Sequence, residues 1–227
     1  MIIPVIYGLV LVLIHYYNDD IDQACSPFRQ SLVSFGAGIS IAYLFLFLFP
    51  ELYHNINGNS FVFVAILIGF TLYHVIEKHV YQYKSKKRRL TELKEAHSVS
   101  FFIYHFLIGI VIYYFAAGDF VRGLLFFIPI VLHSAVSNIS LSEVHVRIKR
   151  RMPVKLLLSL PALGGVLFAT FFTLSTTTFA IILGLVVGIF LYVVIRDSIP
   201  KEREGNIWWF LVGNIVMLLL VFATGLI

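Results

Sequence analysis

Eight long apolar runs dominate this chain, and they leave little room for any fold other than a bundle of membrane helices. A helix needs about 17–25 apolar residues to cross the hydrocarbon core. Strands with open edges cannot satisfy their backbone groups in lipid. The sequence therefore predicts an all-α integral membrane protein with one transmembrane domain, residues 1–227. The predicted spans cover about residues 2–17, 31–49, 61–83, 99–117, 120–142, 153–174, 179–195 and 207–226.

The basic residues predict how these spans are oriented. Of the 17 Lys and Arg residues, all except Arg122 fall on one side when eight spans are counted. Cytoplasmic loops keep such residues because Lys and Arg resist translocation. We therefore expect both termini to face outward from a cell membrane. Residues 84–98 form the predicted basic cytoplasmic loop, with a short helical extension near 91–95.

The net charge of +5 lies mostly in these loops beside the bilayer. Anionic lipid head groups are the natural partner of such loops. The lipid bilayer is therefore the expected partner of the chain, and nucleic acid is not.

Two of the apolar runs carry a similar pattern. Gly38 precedes Pro50 by twelve residues in the second run, and Gly188 precedes Pro200 by the same distance in the seventh. By the span count these two helices run in opposite directions. Inverted repeats of this kind are typical of transporters, with the substrate site near the midplane. Chance similarity between two apolar helices is the alternative.

These two stretches also resemble a known family. The run Ser34–Gly38, continued by Phe49–Glu51, is similar to the second helix of the ZIP (Zrt/Irt-like) metal transporters. Gly188–Val194, followed by Asp197 and Pro200, resembles the seventh helix of that family. The resemblance implies eight helices in a 3+2+3 arrangement with inverted outer repeats. It also implies transport of divalent metals such as zinc, a homodimer and no enzymatic activity.

The chain departs from the family pattern where metal ligands are expected. Family members carry H-N-x-x-[DE]-G in the fourth helix and H-x-x-P-[EH] in the fifth. Here Tyr104 and His105 stand for the His-Asn pair, Ile108 replaces the carboxylate, and His133 is kept. Phe47 also stands where many members have a second-helix His. Since zinc sites normally have three or four protein ligands, two imidazoles predict a weak, altered site.

Polar residues on the fourth and fifth spans mark the candidate path through the membrane. Those on the fifth recur at helical spacing, which predicts one polar face. Intramembrane ionisable residues are functional candidates, whereas small polar residues often only hydrogen-bond between helices. Imidazoles can also carry protons, so a path for protons or a neutral solute is an alternative. The candidate residues are His105, His133, Ser134, Ser137 and Asn138.

Two further groups of residues lie at the predicted membrane surfaces. His74 and Glu77 end the third span, and Glu143 and His145 end the fifth. Their imidazole and carboxylate groups predict a low-affinity metal site on the cytoplasmic side. The alternative is an ordinary charged interface. On the outer side, Glu51 is the candidate acidic residue.

Small residues in the second and sixth spans predict close contacts between helices. Glycine lets two helix backbones approach each other. The positions concerned are Gly36, Gly38, Gly164 and Gly165.

Three functions remain open at this point. The first is a ZIP-like transporter with an altered central site, with zinc or another divalent metal as substrate and no cofactor. The second is a transport-inactive protein of the same fold that regulates or binds a partner. The third, an intramembrane enzyme using His and Glu for acid–base chemistry, is the weakest, because the acidic residues lie at the interfaces.

Overall fold

The computed structural model describes residues 2–17, 21, 25, 28–55, 60–83, 86–137, 152–198 and 205–225, without some of the side chains near the ends of these ranges. Every regular element in them is a helix, which confirms the all-α prediction for this part of the chain. The α-helices are α1 (Ile2–Tyr16), α2 (Arg29–Tyr43), α3 (Phe49–Asn55), α4 (Phe61–Tyr83), α5 (Lys86–Gly118), α6 (Phe120–Ser137), α7 (Met152–Ser159), α8 (Pro161–Phe171), α9 (Thr176–Val193) and α10 (Ile207–Ala223).

Three helical stretches are long and apolar enough to cross a membrane: Arg29–His54, Ser98–Gly118 and Thr176–Arg196. Five shorter apolar helices lie within the other predicted spans. Many apolar side chains are exposed on the outside of the bundle, including Leu67 of α4 and Leu219 of α10. Because such a surface is suited to lipid tails, the chain is a membrane-embedded helical protein.

Two predicted boundaries differ from the structure. The sixth span was expected to be continuous, but it divides at Leu160 into α7 and α8. Proline has no backbone N–H and its ring favours the first turn of a helix, so Pro161 starts a new helix. The predicted loop 84–98 is helical from Lys86 onward, because α5 begins there. The helical extension near 91–95 is thus confirmed and is longer than expected.

Glycine pairs hold three pairs of helices in close contact. A methyl group on Gly38 of α2 would overlap the Phe210 carbonyl oxygen of α10, and one on Gly213 of α10 would overlap the Phe35 carbonyl of α2. The same reciprocal arrangement joins α4 to α9 and α5 to α8. Backbones this close leave no room for a side chain. The pairs are Gly38 with Gly213, Gly69 with Gly188, and Gly109 with Gly165.

The two similar runs also share a break in regular α-helix. Leu44–Leu48 and Val194–Ser198 are π-helical, and each segment begins six residues after the matching Gly38 or Gly188. In the first segment the Phe49 amide donates to the Leu44 carbonyl, five residues back. π-Helical turns are rare and often lie at functional sites. The sequence similarity between the two runs therefore extends to their backbone geometry.

Candidate functional site

His105 lies deep in the bundle on α5, with only 3% of its surface exposed. Its Nδ1 is 2.9 Å from the Phe101 carbonyl oxygen one turn earlier, and its ring stacks on Phe101 at 3.8 Å between centroids. A carbonyl oxygen can only accept, so Nδ1 carries the proton. When the ring is neutral, Nε2 carries the lone pair, which is the form of imidazole that binds metals.

His133 is the second predicted imidazole, and it is also buried. It lies on α6, and its ring meets Phe190 of α9 edge-on at 5.7 Å. The neighbouring Ser134 is buried as well, but its hydroxyl has no hydrogen-bond partner within the described part of the chain. The predicted role of Ser134 in hydrogen bonding between helices therefore has no support here.

His15 is a third imidazole, and it is not among the residues predicted from the sequence. It lies in the last turn of α1, and its ring centroid is 4.5 Å from that of His105, edge to face. The available signal was an ionisable residue within an apolar run, which is a functional candidate by default. The family resemblance drew attention to the fourth and fifth spans instead.

The three histidines lie on helix segments that contain no acidic residues. Residues 2–17, 98–118 and 120–137 contain no Asp or Glu. Among the residues that the structure describes, no three His, Cys, Asp or Glu side chains are arranged to hold a metal ion. The histidine cluster thus consists of His15 of α1 in contact with His105 of α5, and of His133, which is buried on the neighbouring helix α6.

A cavity of about 390 Å³ lies where α5 ends and α6 begins, and α3 and α9 also contribute to its lining. One wall carries an ion pair, in which Arg122 Nη1 donates to Glu51 Oε1 at 2.8 Å. Asp119 immediately precedes α6, and its Oδ1 accepts hydrogen bonds from the Val121 amide at 2.7 Å and the Arg122 amide at 3.0 Å. The residues that line this cavity are Glu51, Tyr114, Phe115, Gly118, Asp119, Arg122 and Phe179.

Aromatic side chains fill the bundle between this cavity and the histidine cluster. Phe115 lines the cavity and meets Phe47 at 6.0 Å and Phe126 at 5.4 Å, while Tyr43 stacks on Phe47 at 5.3 Å. Phe126 precedes His133 by two turns of α6, which is about 10 Å along the helix. Since all four rings are buried, the cavity ends in an aromatic plug made of Tyr43, Phe47, Phe115 and Phe126.

The predicted cytoplasmic metal site is only partly visible. His74 is exposed, and its ring lies 5.8 Å from that of Tyr192. The side chain of Glu77 lies outside the described part of the chain, as do Glu143 and His145. On the candidate path, Asn138 and the side chain of Ser137 also lie outside it.

Comparisons with known proteins do not identify the family. No family model matches the sequence, and no curated protein matches it. Membership of the ZIP family stays a prediction drawn from the residues quoted above.

Proposed function

We propose that the chain is a ZIP-like membrane transporter of divalent metal ions such as zinc, with a weak central site made of imidazoles. One observation carries the proposal: His105 and His133 are both buried inside the bundle. They stand at the positions where the family resemblance puts metal ligands. Burying two ionisable rings in a membrane protein is costly, and such residues usually line a substrate or ion path.

The proposed topology has eight spans in a 3+2+3 arrangement, with both termini outside a cell membrane. The matching π-helical segments on the second and seventh apolar runs support the inverted repeat. The contacts of these runs are also paired, because α2 packs on α10 through Gly38 and α9 packs on α4 through Gly188. In the proposed repeat, the second span corresponds to the seventh, and the third span to the eighth. The contact of α2 (second span) with α10 (eighth span) is therefore the counterpart of the contact of α9 (seventh span) with α4 (third span).

In this topology the cavity beside Glu51 is the outer vestibule. Arg122 holds the Glu51 carboxylate in place and offsets its charge, which leaves Asp119 as the excess negative charge that attracts a cation. The aromatic plug then separates the vestibule from the histidines. A cation would pass only when these rings move, and it would next meet the lone pairs of neutral imidazoles, which suit zinc and other borderline metals.

The site is expected to be weak because nothing near it offsets a double positive charge. Ile108 is completely buried where the family pattern has a carboxylate. Transferring a divalent cation to a neutral apolar site is unfavourable unless several ligands replace its water. The bound metal would therefore keep part of its hydration, and affinity would be low.

Uptake into proteoliposomes tests the proposal. Purified protein would be assayed with zinc, iron, manganese, cadmium and cobalt, as wild type and as His133→Ala. The control is His54→Ala, which removes an exposed imidazole from α3. We expect uptake of at least one metal, its loss in His133→Ala and its retention in His54→Ala. The absence of uptake from folded, inserted wild-type protein would contradict the proposal.

A transport-inactive protein of the same fold is the second candidate. It is favoured by the lack of any three-ligand metal arrangement among the described residues. A regulatory or partner-binding role, including a homodimer, would need no path for ions. This candidate predicts no uptake of any metal and an unchanged thermal unfolding temperature when zinc is added to the wild type.

A further inference from the structure

The cavity between α5 and α6 is lined by two kinds of side chain, charged groups and aromatic rings. Its volume of about 390 Å³ falls within the range of small-molecule sites, which is roughly 300–1,000 Å³. Such sites are mainly apolar, and a few polar groups orient the ligand. A metal ion would use only the polar groups, so the aromatic part of the lining points to an organic ligand.

The three aromatic rings of the lining contact one another. Tyr114 and Phe179 lie 4.7 Å apart between ring centroids, and Phe179 meets Phe115 edge-on at 6.0 Å. The hydrogen bond from the Leu174 amide to the Tyr114 hydroxyl holds the tyrosine in place. Aromatic rings cover the apolar part of a ligand, and their faces also attract cations. These rings therefore suit a ligand that has an apolar body and a positive charge.

The charged residues of the lining carry one excess negative charge. The Glu51 carboxylate and the Arg122 guanidinium pair at 2.8 Å, so their charges offset each other. The charge of Asp119 remains. Its Oδ1 accepts two amides of α6, and its Oδ2 has no hydrogen bond within the described part of the chain. A ligand with a single positive charge would balance this lining.

We propose that this cavity binds a small organic monocation, an amine whose ammonium group lies beside Asp119 and whose apolar body lies against the aromatic rings. The inference goes beyond the proposed function and does not depend on it, because binding requires neither metal transport nor the histidines. The cavity is already formed in the structure, so no helix has to move.

Two leucine variants test whether a ligand occupies the cavity. Gly118→Leu extends a side chain into it, because Gly118 belongs to the lining and an added Cβ would meet no atom within 4 Å. The φ of Gly118 is not positive, so its backbone is compatible with leucine. Ala117→Leu is the matched control, because it adds the same side chain at an exposed neighbouring position outside the lining.

A third variant, Asp119→Asn, tests the charge. Asparagine caps helices about as well as aspartate, so the start of α6 should keep its hydrogen bonds while the excess negative charge is lost. Thermal unfolding temperatures equal to that of the wild type would show that the three variants are folded.

Isothermal titration calorimetry of the full-length protein in an uncharged detergent measures the binding, with protein-free micelles as the blank. The probes are benzylammonium, benzyl alcohol and benzoate, which are similar in size and are respectively positive, neutral and negative. We expect saturable binding of benzylammonium, and binding of the other two probes at least about threefold weaker. Benzylammonium binding should be unchanged in Ala117→Leu, lost in Gly118→Leu and about threefold to fivefold weaker in Asp119→Asn.

Several results would overturn the inference. Equal affinity for benzyl alcohol would mean a merely apolar cavity, and tighter binding of benzoate would mean an anion site at Arg122. Wild-type affinity in folded Gly118→Leu would place the binding elsewhere, and the absence of saturable benzylammonium binding to folded wild type would leave no site at all. Binding of benzylammonium without metal uptake in proteoliposomes would support the inference and contradict only the proposed function.

The ammonium group has two possible sources, a dissolved amine or the head group of a lipid. Phosphatidylcholine added to the micelles distinguishes them. Displacement of benzylammonium would identify a head group as the source of the ammonium, and an unchanged affinity would identify a dissolved amine.

Discussion

Arg122 and Glu51 join the end of one apolar run to the start of another, with Nη1 of the arginine 2.8 Å from Oε1 of the glutamate. They are separated by 71 residues in sequence and meet at the wall of the cavity. Arg122 is the one basic residue on the predicted outer side. Its pairing with a carboxylate accounts for its presence there, since a positive charge on that side is otherwise disfavoured.

The first prediction concerns this ion pair. Glu51→Gln and Arg122→Gln should each lower the free energy of unfolding by about 0.2–1 kcal/mol, as partly exposed ion pairs usually do. The effect is small because 41% of the Arg122 side chain is exposed, although only 13% of the Glu51 side chain is. Thermal unfolding of the purified protein in detergent measures the loss.

The charge-swapped double variant, Glu51→Arg with Arg122→Glu, is the control for this pair. It should recover part of the stability that either single swap removes, because the attraction is restored with reversed sign. If the stability loss of the double variant equals the sum of the losses of Glu51→Arg and Arg122→Glu, the two side chains do not interact.

The second prediction uses two adjacent glycines of α8. Gly165→Ala should destabilise the protein by about 1–3 kcal/mol, because the new methyl group overlaps the Phe106 carbonyl oxygen of α5. Gly164→Ala should change little, since its methyl group would lie 3.7 Å from the Phe106 ring. Thermal unfolding of both variants gives the comparison, and equal effects would contradict the described packing of α8 on α5.

The third prediction compares the two similar apolar runs. Gly38→Ala and Gly188→Ala should have similar costs, about 1–3 kcal/mol each, because both methyl groups meet a carbonyl oxygen of the partner helix. Gly36→Ala is the control, because the nearest atom, on Leu132, would be 3.9 Å away. A large loss in only one of the two variants would mean that the α2–α10 and α4–α9 contacts are not equivalent.

The fourth prediction concerns the connection between α8 and α9. The Leu174 amide donates a hydrogen bond to the Tyr114 hydroxyl at 2.6 Å, which ties this loop to α5. Tyr114→Phe should therefore cost about 0.5–1.5 kcal/mol, the usual value of such a bond. Tyr113→Phe, at the neighbouring position, serves as the control in the same unfolding measurement. A smaller loss in Tyr114→Phe than in Tyr113→Phe would argue against the bond.

Much of the fold could be predicted because an apolar segment that crosses lipid must be a helix of about 17–25 residues. The apolar helices of the structure lie within the predicted runs. Their ends were less predictable: Pro161 divides the sixth run, and α5 continues through a segment predicted to be largely loop. Of the small residues, Gly38 and Gly165 make the expected close contacts, while Gly36 and Gly164 only touch their neighbours.

The candidate site was predicted only in part. His105 and His133 are buried as expected, and Glu51 borders a cavity. The aromatic plug and His15 were not predicted as parts of the site. The plug combines rings from three helices, and His15 is 90 positions away from its neighbour His105 in sequence. The pattern of neighbouring residues in a sequence does not show which distant residues come into contact.

The sequence by itself determined that this chain is a bundle of apolar helices, and it showed where two of them carry a similar pattern. Those properties depend on the composition and spacing of contiguous residues, because the length of a membrane span and the period of a helix are properties of a single segment. Only the tertiary structure decided that α1 brings a third imidazole, His15, into contact with His105, and that Arg122 faces Glu51. These contacts join segments that are far apart in sequence. They depend on which helix faces carry the glycines that let two backbones pack closely.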